Sequence, residues 1–390
     1  MLMKHTFVRI AAATWLVSSG PVAGAQSEIE LPSEESESET RPEWTLNATF
    51  EGYYQYNFNE PYNRVNLLRA YDTRSNSFSI QQVGLVFEAA PAVEEGRRFG
   101  LRADLQFGEA TETVQGSPLN EPRPEVYRNL WQAYGSYVFP VSKGLRADFG
   151  KFTSMLGYET NYARDNDHFS RAYLFNFLPF YHSGLRASYF LGDRATLLYM
   201  LTNGIQQTED FNDFKSSHVA AILKPGPPLT WTINYYFGHE QPDSAAGDGP
   251  DGSFRVFDTY LTATPKGPFT IGIDFNYTTS EVMASDPAGS LTGLGIYGRF
   301  QAAPKAALAA RYERLDEEGG LFGGVPQLLQ EVTFTAEYRF DEGFLLRGEL
   351  RHDWSDVPFF VGSDPSSPQE SQSTILVGMV WWIGGKKGAW

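Results

Sequence analysis

The sequence predicts an all-β fold: a closed antiparallel transmembrane β-barrel of about 16 strands, with long extracellular loops and short periplasmic turns. Three observations predict it. Segments of about ten residues alternate apolar and polar side chains, they recur along most of the chain, and their connectors are alternately long and short. The clearest stripe is Phe269, Ile271, Ile273, Phe275 and Tyr277, separated by Thr270, Gly272, Asp274 and Asn276. Side chains alternate across a strand with period two, so this stretch has two chemically opposite faces. Strands that cross a bilayer have this form, with one face toward lipid and the other toward the lumen. Ile273 is thus expected to meet lipid and Asp274 to meet water inside the barrel.

Composition agrees. No apolar run approaches the roughly 20 residues a membrane helix needs, yet aromatics make up 15% of the chain, enough for girdles at both membrane interfaces. A soluble β-sandwich or propeller also alternates and also carries aromatics, so the connectors must discriminate.

The first residues set the compartment. Lys4 and Arg9, the apolar Ile10 to Val17, and the small-residue site Ala23-Gly24-Ala25 form a secretory signal peptide over 1–25, cleaved near Ala25. Loss of Lys4 and Arg9, with no acidic residue, moves the formal charge from −16 to −18. Such a chain has no basic surface for nucleic acid. Residues 26–43 carry Glu28, Glu30, Glu34, Glu35, Glu37, Glu39 and Glu43 against Arg41, among serines and prolines. That segment cannot bury a core and is expected to be a disordered periplasmic tail. With no cysteine, the exported chain has neither disulfides nor a lipidation site.

The barrel is expected over 44–390. Besides 269–277, strands are expected at 44–56, 77–89, 99–107, 129–139, 145–152, 184–191, 194–202, 216–224, 229–237, 253–264, 291–301, 306–315, 332–340, 344–354 and 373–383. Long connectors (58–76, 109–128, 153–183, 203–215, 240–252, 280–290, 316–329, 355–372) alternate with short ones rich in Pro and Gly, such as Gly192-Asp193 and Pro225 to Pro228. Outer-membrane barrels sort their loops this way, because periplasmic turns are tight and extracellular loops long; a sandwich has no reason to. Closure satisfies every backbone group in lipid. Sixteen strands enclose an aqueous lumen rather than a packed core. The final strand resembles an outer-membrane assembly signal, with Leu376 where a polar residue and Ile383 where an aromatic residue is usual, and a tail, Gly384 to Trp390, follows.

Several blocks occur in a characteristic order: Gln132-Ala133-Tyr134, the segment from Leu145 to Phe152, Leu156-Gly157-Tyr158-Glu159, the segment from Ser170 to Phe175, Pro179 with the run from His182 to Arg186, and the run from Leu346 to Asp353. In these the chain resembles the OmpL-like group called putative beta-barrel porin-2. The resemblance implies an outer-membrane porin of a Gram-negative bacterium. It says little about the solute.

The face opposite the apolar stripe lists the expected pore-lining charges. These are Arg102 and Asp104, Arg146 and Asp148, Arg186, Asp258, Asp274, Arg299, Arg311 and Glu313, Glu331, Glu337 and Arg339, and Arg347, Glu349, Arg351 and Asp353. Eight arginines against nine carboxylates predict no strong ion preference. Residues two apart on a strand, or opposite on its neighbour, can equally brace the wall as cross-strand pairs. The longest loop, 153–183, is the expected constriction, with Glu159, Arg164, Asp165, Asp167, His168 and Arg171 beside Tyr173, Phe175, Phe177, Phe180 and Tyr181. It can fold into the lumen, pack across the barrel top, or meet a neighbouring subunit.

No cofactor or metal is implied. Asp165-Asn166-Asp167, and Asp248 with Asp251, lack the spacing of a complete calcium loop. The histidines lack ligand spacing, and no G-x-S-x-G is present. The leading expectation is a passive diffusion channel for small hydrophilic solutes, embedded in outer-membrane lipid and lipopolysaccharide, with a homotrimer open to it by analogy. A structural or adhesive barrel with partner-binding loops is the alternative, and an outer-membrane hydrolase finds no support in residue spacing. A plugged transporter is disfavoured, since residues 26–43 are too few for a plug domain.

Overall fold

A computed structural model describes residues 44–115, 121–141, 144–242, 251–285, 287–340, 343–386 and 390. The expected signal peptide (1–25) and the expected acidic tail (26–43), with Asp248, lie outside the described residues.

Sixteen strands form the wall. They are β1 (Thr45–Asn57), β2 (Ser77–Ala89), β3 (Phe99–Phe107), β4 (Leu130–Phe139), β5 (Leu145–Thr153), β6 (Tyr181–Phe190), β7 (Ala195–Thr202) and β8 (Ser216–Gly226). The second half comprises β9 (Leu229–Gly238), β10 (Phe254–Ala263), β11 (Phe269–Ser280), β12 (Gly289–Ala303), β13 (Ala306–Glu317), β14 (Gln327–Phe340), β15 (Phe344–Ser355) and β16 (Ser371–Ile383). Each pairs antiparallel with its sequence neighbours, and β1 closes the barrel on β16 through Ala48↔Ile383 to Asn57↔Thr374. No edge is left unpaired.

Facing follows the sequence pattern. Ile273 is 42% exposed on the outside, while Asp274 is 1% exposed on the inside. Aromatic contacts across the outer surface, such as Trp44 on Phe87 at 4.8 Å and Phe344 on Trp381 at 4.6 Å, run between neighbouring strands.

Two strand starts differ from expectation for one reason. β14 begins at Gln327 rather than 332, and β6 at Tyr181 rather than 184. The alternation fails in those turns because the barrel interior there is apolar and packed: Leu329 joins Leu291, Leu315 and Leu174 in a buried cluster, and Tyr181 joins Trp131 and Phe180 in another. The longest connector is therefore 154–180.

Candidate functional site

Loop 154–180 lies inside the barrel; none of its residues is exposed. Apart from a 3-10 turn (Ala163–Asp165) and one short helix (Tyr173–Phe177), it has no regular structure. Only a few of its backbone groups pair with one another, as Leu178 N–H does with Leu174 O (2.9 Å), and the other buried donors and acceptors must find partners. The wall's charged side chains supply them.

Carboxylates take the N–H groups. Asp258 accepts from Gly157 (3.1 Å) and Asp274 from Tyr158 (3.1 Å). Glu51 accepts from Ala163 (2.8 Å), and Glu349 from Phe169 (2.9 Å) and Ser170 (3.2 Å). Glu313 accepts from Tyr173 (2.5 Å) and Leu174 (3.1 Å), capping the short helix at its positive end. Guanidinium groups take the carbonyls. Arg347 donates to Ala163 O (2.6 Å), His168 O (2.9 Å) and Asn166 O, Arg311 to Ser170 O (3.0 Å), and Arg351 to Arg171 O (2.7 Å).

The same arginines brace the wall. Arg311 pairs with Glu331 and the loop's Glu159, both at 2.7 Å; Arg347 pairs with Glu337 at 2.6 Å, and Arg351 with Asp353 at 2.7 Å. Arg311 and Arg347 thus each join two strands and the loop. Arg299 bridges Glu337 (2.8 Å) and Asp167 (3.2 Å). These hydrogen bonds come from β1 and from β10 to β15, so the loop is held around much of the circumference. On the side of β4, β7 and β8 it packs instead through Met155, against Tyr134, Leu198, Met200 and Ala220.

Four inward-facing glycines receive loop side chains. A Cβ on Gly84 would stand 2.9 Å from the Tyr162 ring, on Gly272 2.5 Å from the Tyr158 ring, and on Gly293 2.5 Å from Leu174. On Gly378 it would overlap the ring of Phe169. A strand glycine commonly marks such close approach. Tyr158 also stacks on Tyr297 at 4.3 Å.

The other expected site residues have further partners. Asp148 accepts from Arg146 (2.7 Å) and Arg186 (2.8 Å) on the β5–β6 wall. Arg102 pairs with Asp104 at 2.8 Å on β3, and Asp104 also accepts from Tyr162 Oη at 3.2 Å. Arg339, near the end of β14, lies 5.5 Å from the Trp382 ring. Asp274 does not meet water as expected, because Tyr158 covers it and uses its carboxylate as an acceptor. Asp165 and Asp167 face different partners, Trp390 N–H and Arg299.

Burial raises the Asp165 and Asp167 carboxyls above the usual range, with Arg164 and Arg299 acting the other way. Burial, with Arg311 and Arg347 adding to it, holds the His168 imidazole well below its ordinary value. His168 Nδ1 lies 2.7 Å from Thr335 Oγ1. Sequence reasoning missed Glu51, although it sits on the inward phase of β1. It also missed Asn161, which accepts from Tyr71 Oη (2.7 Å) and Gln106 (3.0 Å), and Arg69, which links Asp72 (2.7 Å) to Asp353 (3.0 Å).

Solved structures of similar fold include OmpT of Vibrio cholerae (TM-score 0.56, 12% identity, covering 87% of this chain and 97% of that one). The outer-membrane channel DcaP of Acinetobacter baumannii (0.57, 10%, 87% and 97%) and Salmonella typhi OmpF in complex with daunomycin (0.57, 12%, 87% and 97%) are similar to the same extent. At such identities the likeness shows the fold alone. A search of the curated proteins finds no match. A family model matches residues 43–381, nearly all of the barrel, and by that match the chain belongs to the putative beta-barrel porin-2, OmpL-like family.

Proposed function

We propose that this outer-membrane porin is a passive diffusion channel for small hydrophilic solutes, narrowed by loop 154–180 and without strong ion preference. The observation that carries the reading is the loop itself, held inside a sixteen-stranded barrel by wall carboxylates and guanidiniums. A loop fixed this way limits which solutes pass by size. The absence of strong ion preference is supported by the pairing of interior charges: Arg102 with Asp104, Arg146 and Arg186 with Asp148, Arg347 with Glu337, and Arg351 with Asp353. Paired charges at these distances largely cancel beyond a Debye length of about 8–10 Å.

The apolar outer stripe is read as the surface for lipid and lipopolysaccharide, reached after export and cleavage near Ala25. Homotrimeric assembly belongs to the same reading. The decisive test is single-channel recording of the purified protein in planar bilayers, with reversal potentials in a KCl gradient. Discrete conducting steps with a reversal potential near zero are expected. No steps at any voltage, with specific binding of a surface partner instead, would transfer the function to an adhesive barrel.

A further inference from the structure

Among the described residues beyond β16, Lys386 and Trp390 contact the barrel wall or the loop. Lys386 N–H donates to Asn47 Oδ1 (2.9 Å), and its Nζ pairs with Glu88 at 2.6 Å. Trp390 is buried, and its backbone N–H donates to Asp165 Oδ2 at 2.9 Å. The indole meets Tyr162 edge-on at 5.9 Å, and the Arg164 guanidinium sits 4.5 Å from the Trp390 ring and 5.1 Å from the Trp382 ring. Every one of these loop contacts falls on the 3-10 turn (Ala163–Asp165) or on Tyr162, which precedes it.

The wall holds the turn through Ala163 N–H to Glu51, Ala163 O to Arg347, and the Tyr162 hydroxyl to Asp104, with the Tyr162 ring over Gly84. Arg164 and Asp165 turn to Trp390, whose ring also meets the edge of Tyr162. Arg164 pairs with its own neighbour Asp165 at 3.2 Å, and aromatic rings from both β16 and Trp390 cover its guanidinium. A guanidinium between aromatic faces is favourably placed, and more so where water is excluded.

We infer that Trp390 is a positioning residue for the constriction: it props the 162–165 turn from the short-turn side of the barrel and so sets the width of the passage. The inference rests on the reading of loop 154–180 as the narrowing of a diffusion channel. Trimming the Trp390 side chain leaves its backbone N–H on Asp165 but removes the ring from Tyr162 and from one face of the Arg164 clamp, while the wall anchors of the loop remain. The wall is untouched, so the barrel still closes but the turn samples wider positions.

The test records single channels of the purified wild type, Trp390→Ala and Trp390→Phe, with the heat-modifiable shift on gels as the check of barrel formation. Trp390→Ala is expected to raise unitary conductance about twofold and to add frequent subconductance steps, because conduction follows pore radius. Trp390→Phe, which keeps a ring over Arg164, is expected to restore a value near wild type. Equal or smaller conductance in Trp390→Ala overturns the inference while leaving the channel reading intact. Silence of the wild type overturns the channel reading itself, and the inference with it. Should Trp390→Ala fail to form the barrel, Arg164→Gln takes its place: it removes the clamp with Trp390 present, and the same rise is expected. An unchanged conductance in that variant counts against the prop.

Discussion

Phe169 of loop 154–180 fills the space that a side chain on Gly378 of β16 would occupy. Glu349 fixes the Phe169 backbone beside this recess through its N–H at 2.9 Å. Gly378→Val should expel the ring and shift the loop, at a cost of about 1–3 kcal/mol for overpacking. The expected result is a lower temperature for loss of the heat-modifiable compact form, with an altered unitary conductance. Gly298→Val on β12, where a Cβ meets open space, is the matched control and should change neither.

Arg347 is the broadest single anchor, serving three loop carbonyls and Glu337. Arg347→Ala removes this donor from the three carbonyls and one of the two close arginine partners of Glu337, Arg299 remaining, which costs roughly 3–5 kcal/mol. Arg347→Lys should recover only part of this, because an ammonium cannot reproduce the forked geometry. Thermal unfolding of the detergent-solubilised barrel, followed by circular dichroism, measures both. Full recovery by lysine would show that charge alone matters.

His168 predicts a pH dependence. Its imidazole is held neutral in the docked loop, well below the ordinary value. A loop released into water would take up a proton below about pH 6.5, so docking weakens as pH falls through that value, by up to about 1.4 kcal/mol per unit below it. Asp165 and Asp167, raised by burial, act in the opposite sense: the docked loop holds their protons more tightly, and that contribution is lost as pH rises. Comparing wild type with His168→Gln separates the two. Between about pH 7 and pH 5 the wild type should lose more thermal stability than the variant. Identical slopes would refute the assignment.

Asp148 neutralises two arginines, Arg146 and Arg186, on the β5–β6 wall. Asp148→Asn leaves both guanidiniums uncompensated. The reversal potential in a KCl gradient should move toward chloride, by a permeability ratio of roughly two to ten, equivalent to about 0.4–1.4 kcal/mol. A shift toward potassium would be inconsistent with the pairing.

Much of this molecule was readable from the order of its residues. The two-residue period of Phe269 to Tyr277 placed Ile273 outside and Asp274 inside, and the alternation of connector lengths gave sixteen antiparallel strands. These properties are local: a side chain's face depends on its neighbours in sequence, and a turn's length on the residues that form it. Where the interior is packed, as at Leu329 and Tyr181, the polar–apolar signal fades and the strand starts shift.

The uses of the interior charges were not readable in this way. Arg347 and Glu349 look from the sequence like cross-strand braces or pore charges. Their second role, as donors and acceptors for the backbone of residues 163–170, exists only because a segment about 180 positions away folds against them. Backbone N–H and C=O groups are identical in every residue and carry no sequence signature, so no pattern marks which ones a wall side chain will satisfy. The glycine recesses are equally silent: Gly272 and Gly378 read as weak points in strands until Tyr158 and Phe169 occupy them. The sequence by itself determined the barrel and the facing of its wall. Only the tertiary structure decided where the long loop lies, because that depends on shape and on backbone hydrogen bonds between distant parts of the chain.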